Sequence, residues 1–264
     1  MRVNPLFSCR VKIDRTHQHL RDFKLAIKAF SGRNPNPIIT DENSEPAIKI
    51  DRFSVQEGIP PDFSAYIGDI AHNAVSALDS LAFALVQHGG VEPLPLSEEV
   101  MRDTYFPISW KPSFPGRKFE DFFRRIGPEA EKMIRYLEPY KGGRANDLFR
   151  LWRLNNIDKH RAIVPVAADL LGVQFTLPGE SEPLPPREAA RKPRFPLKHG
   201  DELSRRVFNE PEYHADAHFM FQIAFGEGQI FEGDPVIETL EEMIRLVEGV
   251  IYSFASDIFE QDFF

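Results

Sequence analysis

The sequence predicts an α+β protein, with a bundle of about five helices packed with a mainly antiparallel β-sheet of about five to seven strands. Helical periodicity dominates the first 160 residues, and strand-like patterns dominate 161–232. A last helical pattern, with apolar residues at spacings of three and four, covers 235–258. No clean linker divides the chain, so we expect a single intertwined domain over 1–264.

The helices are predicted from apolar periodicity and from the residues that end them. Pro60 and Pro61 favour a helix start at 62, because Pro is tolerated in a first turn. Gly89 follows the last residue of that helix, and Asp234 caps the final one. The predicted helices cover residues 12–30, 62–88, about 118–137, 145–160 and 235–258.

The strands are predicted from short runs of β-branched, aromatic and alternating residues. Tyr213–Phe225 alternates apolar and polar residues, which is typical of a half-buried strand. Residues 178–198 contain six prolines and are predicted to form a loop. The predicted strands cover residues 37–40, 47–53, 163–166, 172–177 and 213–225.

Composition narrows the classes of function. The 264 residues carry a formal net charge of -8, which argues against a general surface for binding nucleic acid or anionic membrane. A small local basic site is still compatible with this net charge. Cys9 is the one cysteine, so no intrachain disulfide or Cys-based metal cluster can form. The first residues lack the apolar stretch of a signal peptide, and we expect a cytoplasmic protein without a membrane partner.

The predicted helix at 62–88 has an unusual polar face. Exposed helix faces generally carry Lys, Arg and Glu, but this one has only short polar side chains. The favoured interpretation is a hydrogen-bonded interface with another element; a face that lines a site and simple exposure both stay open. The residues of this face are Asp69, His72, Asn73, Ser76, Asp79 and Ser80.

The predicted helix at 145–160 is apolar on nearly all sides and ends in a polar cluster. A helix of this kind is generally buried, and each unpaired polar group at its end would cost about 1–3 kcal/mol. The cluster is therefore a satisfied structural network, a site, or both. In the structural interpretation, His160 and Arg161 cap the helix and Asp158 pairs with one of them or with Arg153. The cluster comprises Asn155, Asn156, Asp158, Lys159, His160 and Arg161.

The functional interpretation of this helix starts from Arg153 and His160. On a helical wheel, these two residues and Asn156 lie within about 60° of one another. Arg binds phosphate bidentately, and His exchanges a proton near neutral pH. Such a pair can cleave RNA without a metal or other cofactor, because the 2′-hydroxyl of RNA serves as the nucleophile.

Two motifs carry a resemblance. The pattern Gly-Asp-Ile-x-His-Asn-x-x-x-Ala-Leu-Asp at 68–79, with Asn-Ile-Asp-Lys-His-Arg at 156–161, resembles a group of bacterial proteins with no assigned activity. More distantly, a helix that carries Arg and then His is similar to the HEPN superfamily of helical-bundle ribonucleases and nucleotide-binding proteins. That superfamily usually has a polar residue directly after the Arg, where this chain has Leu154, and the strands from 161 onward lie outside its bundle.

The HEPN resemblance implies a metal-independent endoribonuclease or nucleotide-binding protein. It also implies a homodimer in which Arg153 and His160 of each subunit face a shared cleft, with RNA or a nucleotide as the partner. The residues expected to bind the substrate are Asn156, Asp158, Lys159, Arg161, His72, Asn73 and Asp69.

Two other hypotheses stay open. The same residues could form a structural polar network in a non-enzymatic module that binds a ligand or another protein. Alternatively, His214, Asp216 and His218 alternate along the predicted strand and would then share one face, where two His and a carboxylate could hold a divalent metal. An ordinary exposed strand face is the favoured interpretation of these three residues, so no metal ligand is predicted.

Overall fold

The chain divides into two compact units, each built from segments that are far apart in sequence. The helical unit comprises Met1–Phe23, Ala65–Val164 and Ile237–Phe264, and the sheet unit comprises Lys24–Ser64 and Pro165–Val236. The prediction of a single domain over 1–264 stays a prediction. This computed structural model describes residues 4–33, 36–44, 47–89, 97–112, 114–160, 166–184, 195–208, 210–226, 230–261 and 263, with the backbone alone at 43, 44, 99–101, 158–160 and 211.

The predicted helices form with one correction, and a short helix at Glu98–Asp103 lies in the connection before 117 where no helix is predicted. The single helix expected at about 118–137 is wrong, because the chain breaks between Gly127 and Pro128. Gly127 has a φ of 82°, and Pro128 lacks the N–H that a continuous helix would use. The helices are α1 (Phe7–Gly32), α2 (Asp62–His88), α3 (Glu98–Asp103), α4 (Arg117–Ile126), α5 (Pro128–Leu137), α6 (Asn146–His160) and α7 (Val236–Asp257).

The two longest apolar stripes form much of the core of the helical unit. On α2 the stripe of Ile70, Ala74, Leu78, Leu81 and Leu85 is buried, as the sequence predicts. On α7 the stripe is buried from Leu240 to Phe254, and Ile237 at its start is half-buried. Among the described residues, no helix is both long enough and apolar enough to cross a membrane.

The sheet unit holds two small antiparallel sheets in the described part of the chain, with strand orders β1-β2-β4 and β3-β5. The α+β class is thus confirmed, whereas one sheet of about five to seven strands is not. β4 escaped prediction because its sequence, Glu-Leu-Ser-Arg-Arg-Val, is mostly polar. The strands are β1 (Ile38–Ser44), β2 (Ala47–Phe53), β3 (Val166–Thr176), β4 (Glu202–Val207) and β5 (Asp216–Phe225).

β3 replaces the two strands predicted at 163–166 and 172–177, of which residues 163–165 lie outside the described chain. Its register against β5 shifts between Leu170 and Gly172, which leaves Leu171 as an extra residue that is 56% exposed. Leu170 packs in the core of this unit with Phe53, Leu197 and Leu203.

A buried ion pair ties the three-stranded sheet to the start of β5. Arg206 donates to both carboxylate oxygens of Asp51 at 2.9 Å and to the carbonyl oxygen of Ala215 at 2.7 Å. Asp51 also accepts hydrogen bonds from the hydroxyls of Thr40 and Ser204. Each carboxylate oxygen is therefore satisfied away from water, as a buried charge requires.

Candidate functional site

A group of cationic and aromatic side chains in the helical unit is built around the indole of Trp110, which is 50% exposed. Phe149 and Arg153 lie one turn apart on α6, so both side chains leave the same side of the helix. The Phe149 ring meets the indole edge to face, with centroids 4.7 Å apart. The guanidinium carbon of Arg153 lies 4.9 Å from the Trp110 centroid.

Backbone hydrogen bonds hold Trp110 and a second cation together. Ser109 donates its N–H to the carbonyl of Pro139 at 3.1 Å, and its own carbonyl accepts from the N–H of Lys141 at 3.1 Å. The chain before Trp110 is therefore clamped to the connection between α5 and α6. As a result, Nζ of Lys141 lies 5.7 Å from the Trp110 centroid, and the indole has a cation from each of two segments.

The same connection carries a second aromatic side chain with a cation. Tyr136 is 72% exposed, and the guanidinium carbon of Arg144 lies 4.1 Å from its ring centroid. Gly143 permits the tight turn between them, since a Cβ there would lie 2.3 Å from the carbonyl oxygen of Glu138. We call the following five residues the cation–aromatic surface: Trp110, Tyr136, Lys141, Arg144 and Arg153.

This region is basic within an acidic chain. Residues 105–153 contain eleven Lys and Arg against six Asp and Glu, whereas the whole chain has a net charge of -8. Arg150 is paired with Asp147 at 3.2 Å. Arg153, by contrast, pairs with no carboxylate and donates no hydrogen bond within the described residues. Its charge is thus available to an incoming anion.

The end of α6 carries the rest of the predicted site. Asn156 is half-buried, and the helix continues to His160, but the side chains of 158–160 and all of Arg161 lie outside the described residues. Arg153 and His160 are seven positions apart on one continuous helix, so they share a side with about 10 Å of axial rise between them. The Arg–His pairing itself stays a prediction.

Asn155 is the one described residue of this cluster that is fully buried. It is 2% exposed, and its Oδ1 has no hydrogen-bond partner among the described residues. Within the described residues, Asn155 therefore does not belong to a fully satisfied polar network at this helix end. A buried unpaired acceptor of this kind costs about 1–3 kcal/mol.

The short polar residues of α2 have mixed roles. Asp79 accepts a hydrogen bond from the N–H of Phe106 at 3.0 Å, in the connection that follows α3, so this side chain makes a contact within the protein. Closer to the N-terminus of α2, Asp69 and His72 are exposed instead. Asn73 donates its Nδ2 to the carbonyl of Asp69 at 2.8 Å and lines a groove with residues of α1, including His17 and Gln18.

The structure does not join the two predicted motifs through any described contact. Within the described residues, no hydrogen bond, ion pair or ring contact links Asp69, His72 or Asn73 with Arg153 or Asn156. Asp69 instead faces α1, with 4.0 Å between its Oδ2 and Nδ1 of His19.

The alternation proposed for His214, Asp216 and His218 is wrong. His214 belongs to a 3₁₀ helix at Pro211–His214, and β5 begins only at Asp216. Pro211 favours this turn, since it fixes φ and removes a donor. Among the described residues, no three or more His, Cys, Asp or Glu side chains form a group that could hold a metal ion.

Sequence reasoning missed four of the five residues of the cation–aromatic surface. The available signal was local composition, because the excess of Lys and Arg over 105–153 coincides with both Trp of the chain and several Tyr and Phe. Which aromatic ring stays exposed, and which cation lies against it, depends on the clamp at Ser109 and could not be read from spacing.

Comparisons of the chain with protein-family models, with curated proteins and with solved structures find no significant match.

Proposed function

We propose that this protein binds single-stranded RNA on the cation–aromatic surface and cleaves it without a metal, using Arg153 and His160. The observation that carries the proposal is the half-exposed Trp110, whose ring has the cations of both Arg153 and Lys141 within about 6 Å of its centroid. Exposed aromatic rings flanked by Lys and Arg are the usual means by which proteins bind single strands, because bases stack on the rings and phosphates meet the cations.

The acidic net charge of the chain supports a local site rather than a general polyanion-binding surface. Arg153 has no described carboxylate partner, so a phosphate would not need to displace one. Two exposed rings, Trp110 and Tyr136, provide stacking positions for more than one base. The predicted ligand is thus a strand and not a lone nucleotide.

The proposed cleavage follows from the chemistry of the two side chains. His160 accepts the proton of the 2′-hydroxyl, whose oxygen attacks the adjacent phosphorus. The bond from phosphorus to the 5′-oxygen breaks and leaves a 2′,3′-cyclic phosphate, while the leaving 5′-oxygen takes up a proton from water. Arg153 stabilises the negative charge that develops on the phosphate oxygens.

The remaining predicted residues have supporting roles in this proposal. Asn156, Asp158, Lys159 and Arg161 would bind the strand near the end of α6. The HEPN resemblance implies a homodimer. In that homodimer, α2 of the second subunit would contact the strand through the exposed His72 and through Asn73 and Asp69.

A cleavage assay tests the proposal. Purified protein is incubated in EDTA with a fluorescein-labelled single-stranded RNA and with its fully 2′-O-methylated copy. We expect cleavage of the first strand alone, with equal binding of both, because methylation removes the nucleophile and leaves the stacking bases. His160→Ala should abolish cleavage and retain binding, with its melting temperature as the control for folding.

The outcomes separate the two halves of the proposal. Binding of both strands without cleavage would reject the nuclease and leave an RNA-binding module, the non-enzymatic alternative. Cleavage of the methylated strand would reject the 2′-hydroxyl mechanism and indicate a contaminating nuclease or another chemistry. The absence of binding to either strand would reject the whole proposal.

A further inference from the structure

The sheet unit has a concave site of its own, formed by residues that the RNA proposal does not use. It is a cleft of about 690 Å³, with walls from the end of α1, the start of β1, the end of β2, the start of β3 and one stretch of β5. Small-molecule sites in proteins generally measure about 300–1,000 Å³, so the cleft has the volume of a ligand site.

Aromatic rings form one wall of this cleft. The centroids of Phe53 and Phe221 lie 5.4 Å apart, and Phe219 stacks on Phe221 at 6.4 Å with an interplanar angle of 21°. Phe30 lines the cleft from α1. Several rings that line one cavity favour a planar guest, because such a guest packs against more than one ring at once.

The wall is only partly covered by the protein itself. Phe53 is buried, yet Phe221 beside it is 37% exposed although it belongs to the apolar side of β5. A bound apolar molecule would remove this surface from water, at about 25 cal/mol for each Å² of apolar surface that it covers. The cleft is therefore an apolar site that is incompletely filled by side chains.

The chemistry of the lining defines the class of ligand. The described residues that line the cleft include no Lys, Arg, Asp or Glu. Hydrogen-bonding side chains are few, namely Ser31, Asn36, His218 and Gln222. An ionised ligand would lose its hydration without gaining a partner charge, whereas an uncharged ligand with one or two polar atoms would not.

We propose that the sheet unit binds a neutral, planar, largely apolar small molecule in this cleft. Both segments of the unit contribute to it, since Phe30 and Phe53 precede 64 and Ala168 and Phe221 follow 165. A ligand that contacts both segments stabilises their association, so binding raises the melting temperature of the protein.

The test uses N-phenyl-1-naphthylamine, a neutral two-ring probe whose fluorescence increases in apolar sites. We expect saturable binding of one probe per chain and a higher melting temperature with the probe present. The sulfonated analogue 8-anilino-1-naphthalenesulfonate should bind about tenfold more weakly, because the lining offers its charge no cation.

Two adjacent alanines of β3 provide matched variants. Ala168 lines the cleft and Ala167 does not, although both are half-buried. Ala168→Trp should weaken probe binding about tenfold or more by filling the cavity, whereas Ala167→Trp should leave the affinity within about twofold of wild type. Equal affinity in both variants, or a lack of saturable binding to wild type, would overturn the proposal.

A second pair keeps the test decisive if Ala168→Trp does not fold. Phe221→Ala removes one ring of the wall, and Phe208→Ala removes a ring that is 60% exposed and lies outside the cleft. The proposal requires that Phe221→Ala weakens the binding of the probe and that Phe208→Ala does not. Tighter binding of the sulfonate than of the neutral probe would contradict the class of ligand.

Discussion

The guanidinium carbon of Arg153 lies 4.9 Å from the centroid of the Trp110 ring, so the residue predicted to bind phosphate and the most exposed indole form one feature. The indole restricts the rotamers of Arg153 and holds its charge at the surface. A strand that stacks on Trp110 would therefore meet this cation without reorganisation of the side chain. The first prediction follows from this contact.

Arg153→Ala should weaken RNA binding and lower the salt dependence of the affinity. Each phosphate contact that is lost reduces the slope of log K against log salt by about 0.7–0.9. Arg150→Ala is the matched control, since Arg150 lies one turn earlier on α6 and is already paired with Asp147. Fluorescence anisotropy over a series of salt concentrations measures both slopes. Equal slopes in the two variants would show that Arg153 does not contact a phosphate.

Asn155→Leu should stabilise the protein. The change replaces a buried side chain with an unpaired Oδ1 by an apolar one of similar size, so the free energy of unfolding should rise by about 1 kcal/mol and the melting temperature by about 2–4 °C. Asn156→Leu, at the half-buried neighbour, should give no such gain. A fall in the melting temperature of Asn155→Leu would mean that this amide is paired in solution.

The thiol of Cys9 should make stability fall at high pH. Burial raises the pKa of Cys9 from 9.0 to about 12, so the folded state keeps the proton after the unfolded state has lost it. Between these values the unfolded state binds fewer protons, and the free energy of unfolding decreases with pH by about 1.4 kcal/mol per unit. Stability from this group is fully present below pH 9.

Urea unfolding of wild type and Cys9→Ala from pH 8 to pH 10.5 measures this effect. The two proteins share every other titrating group, so the difference between their slopes isolates the thiol. Identical slopes would show that Cys9 ionises as readily in the folded protein as in the unfolded chain.

The buried pair of Asp51 and Arg206 should be essential to the sheet unit. Arg206→Leu leaves the Asp51 carboxylate buried without a counter-charge, and we expect a loss of about 3–5 kcal/mol in the free energy of unfolding. The neighbouring Arg205 forms an exposed pair with Glu202, so Arg205→Leu should leave the stability almost unchanged. Denaturant unfolding measures the free energy of unfolding of both variants. Similar losses in Arg206→Leu and Arg205→Leu would contradict the role of the buried pair.

The sequence predicted those parts of the fold whose signal is local. The periodicity of α2 and α7 and the Pro60-Pro61 start are local, and both helices agree with the structure. β4 depends instead on pairing with β2, which a polar six-residue segment does not reveal. Pro128 is a local signal for a helix break. The apolar pattern continues on either side of it, and this pattern favoured a single helix instead.

The candidate site shows the same division. Arg153 could be singled out from the sequence because it lies on a helix, where the spacing of residues determines which side chains share a face. Trp110 could not, since its exposure results from a hydrogen-bonded clamp between segments thirty residues apart, at Ser109 and Pro139. Tertiary contacts of this kind leave no periodic pattern in the chain.

The affinity of single-stranded RNA for Trp110→Ala, measured by anisotropy beside Tyr252→Ala, tests the central claim most directly. Tyr252 is 53% exposed on α7 and is not part of the cation–aromatic surface. Stacking on an aromatic ring contributes about 1–3 kcal/mol per base, so Trp110→Ala should bind about tenfold or more weakly, and Tyr252→Ala as wild type does. Unchanged affinity in Trp110→Ala would contradict the account.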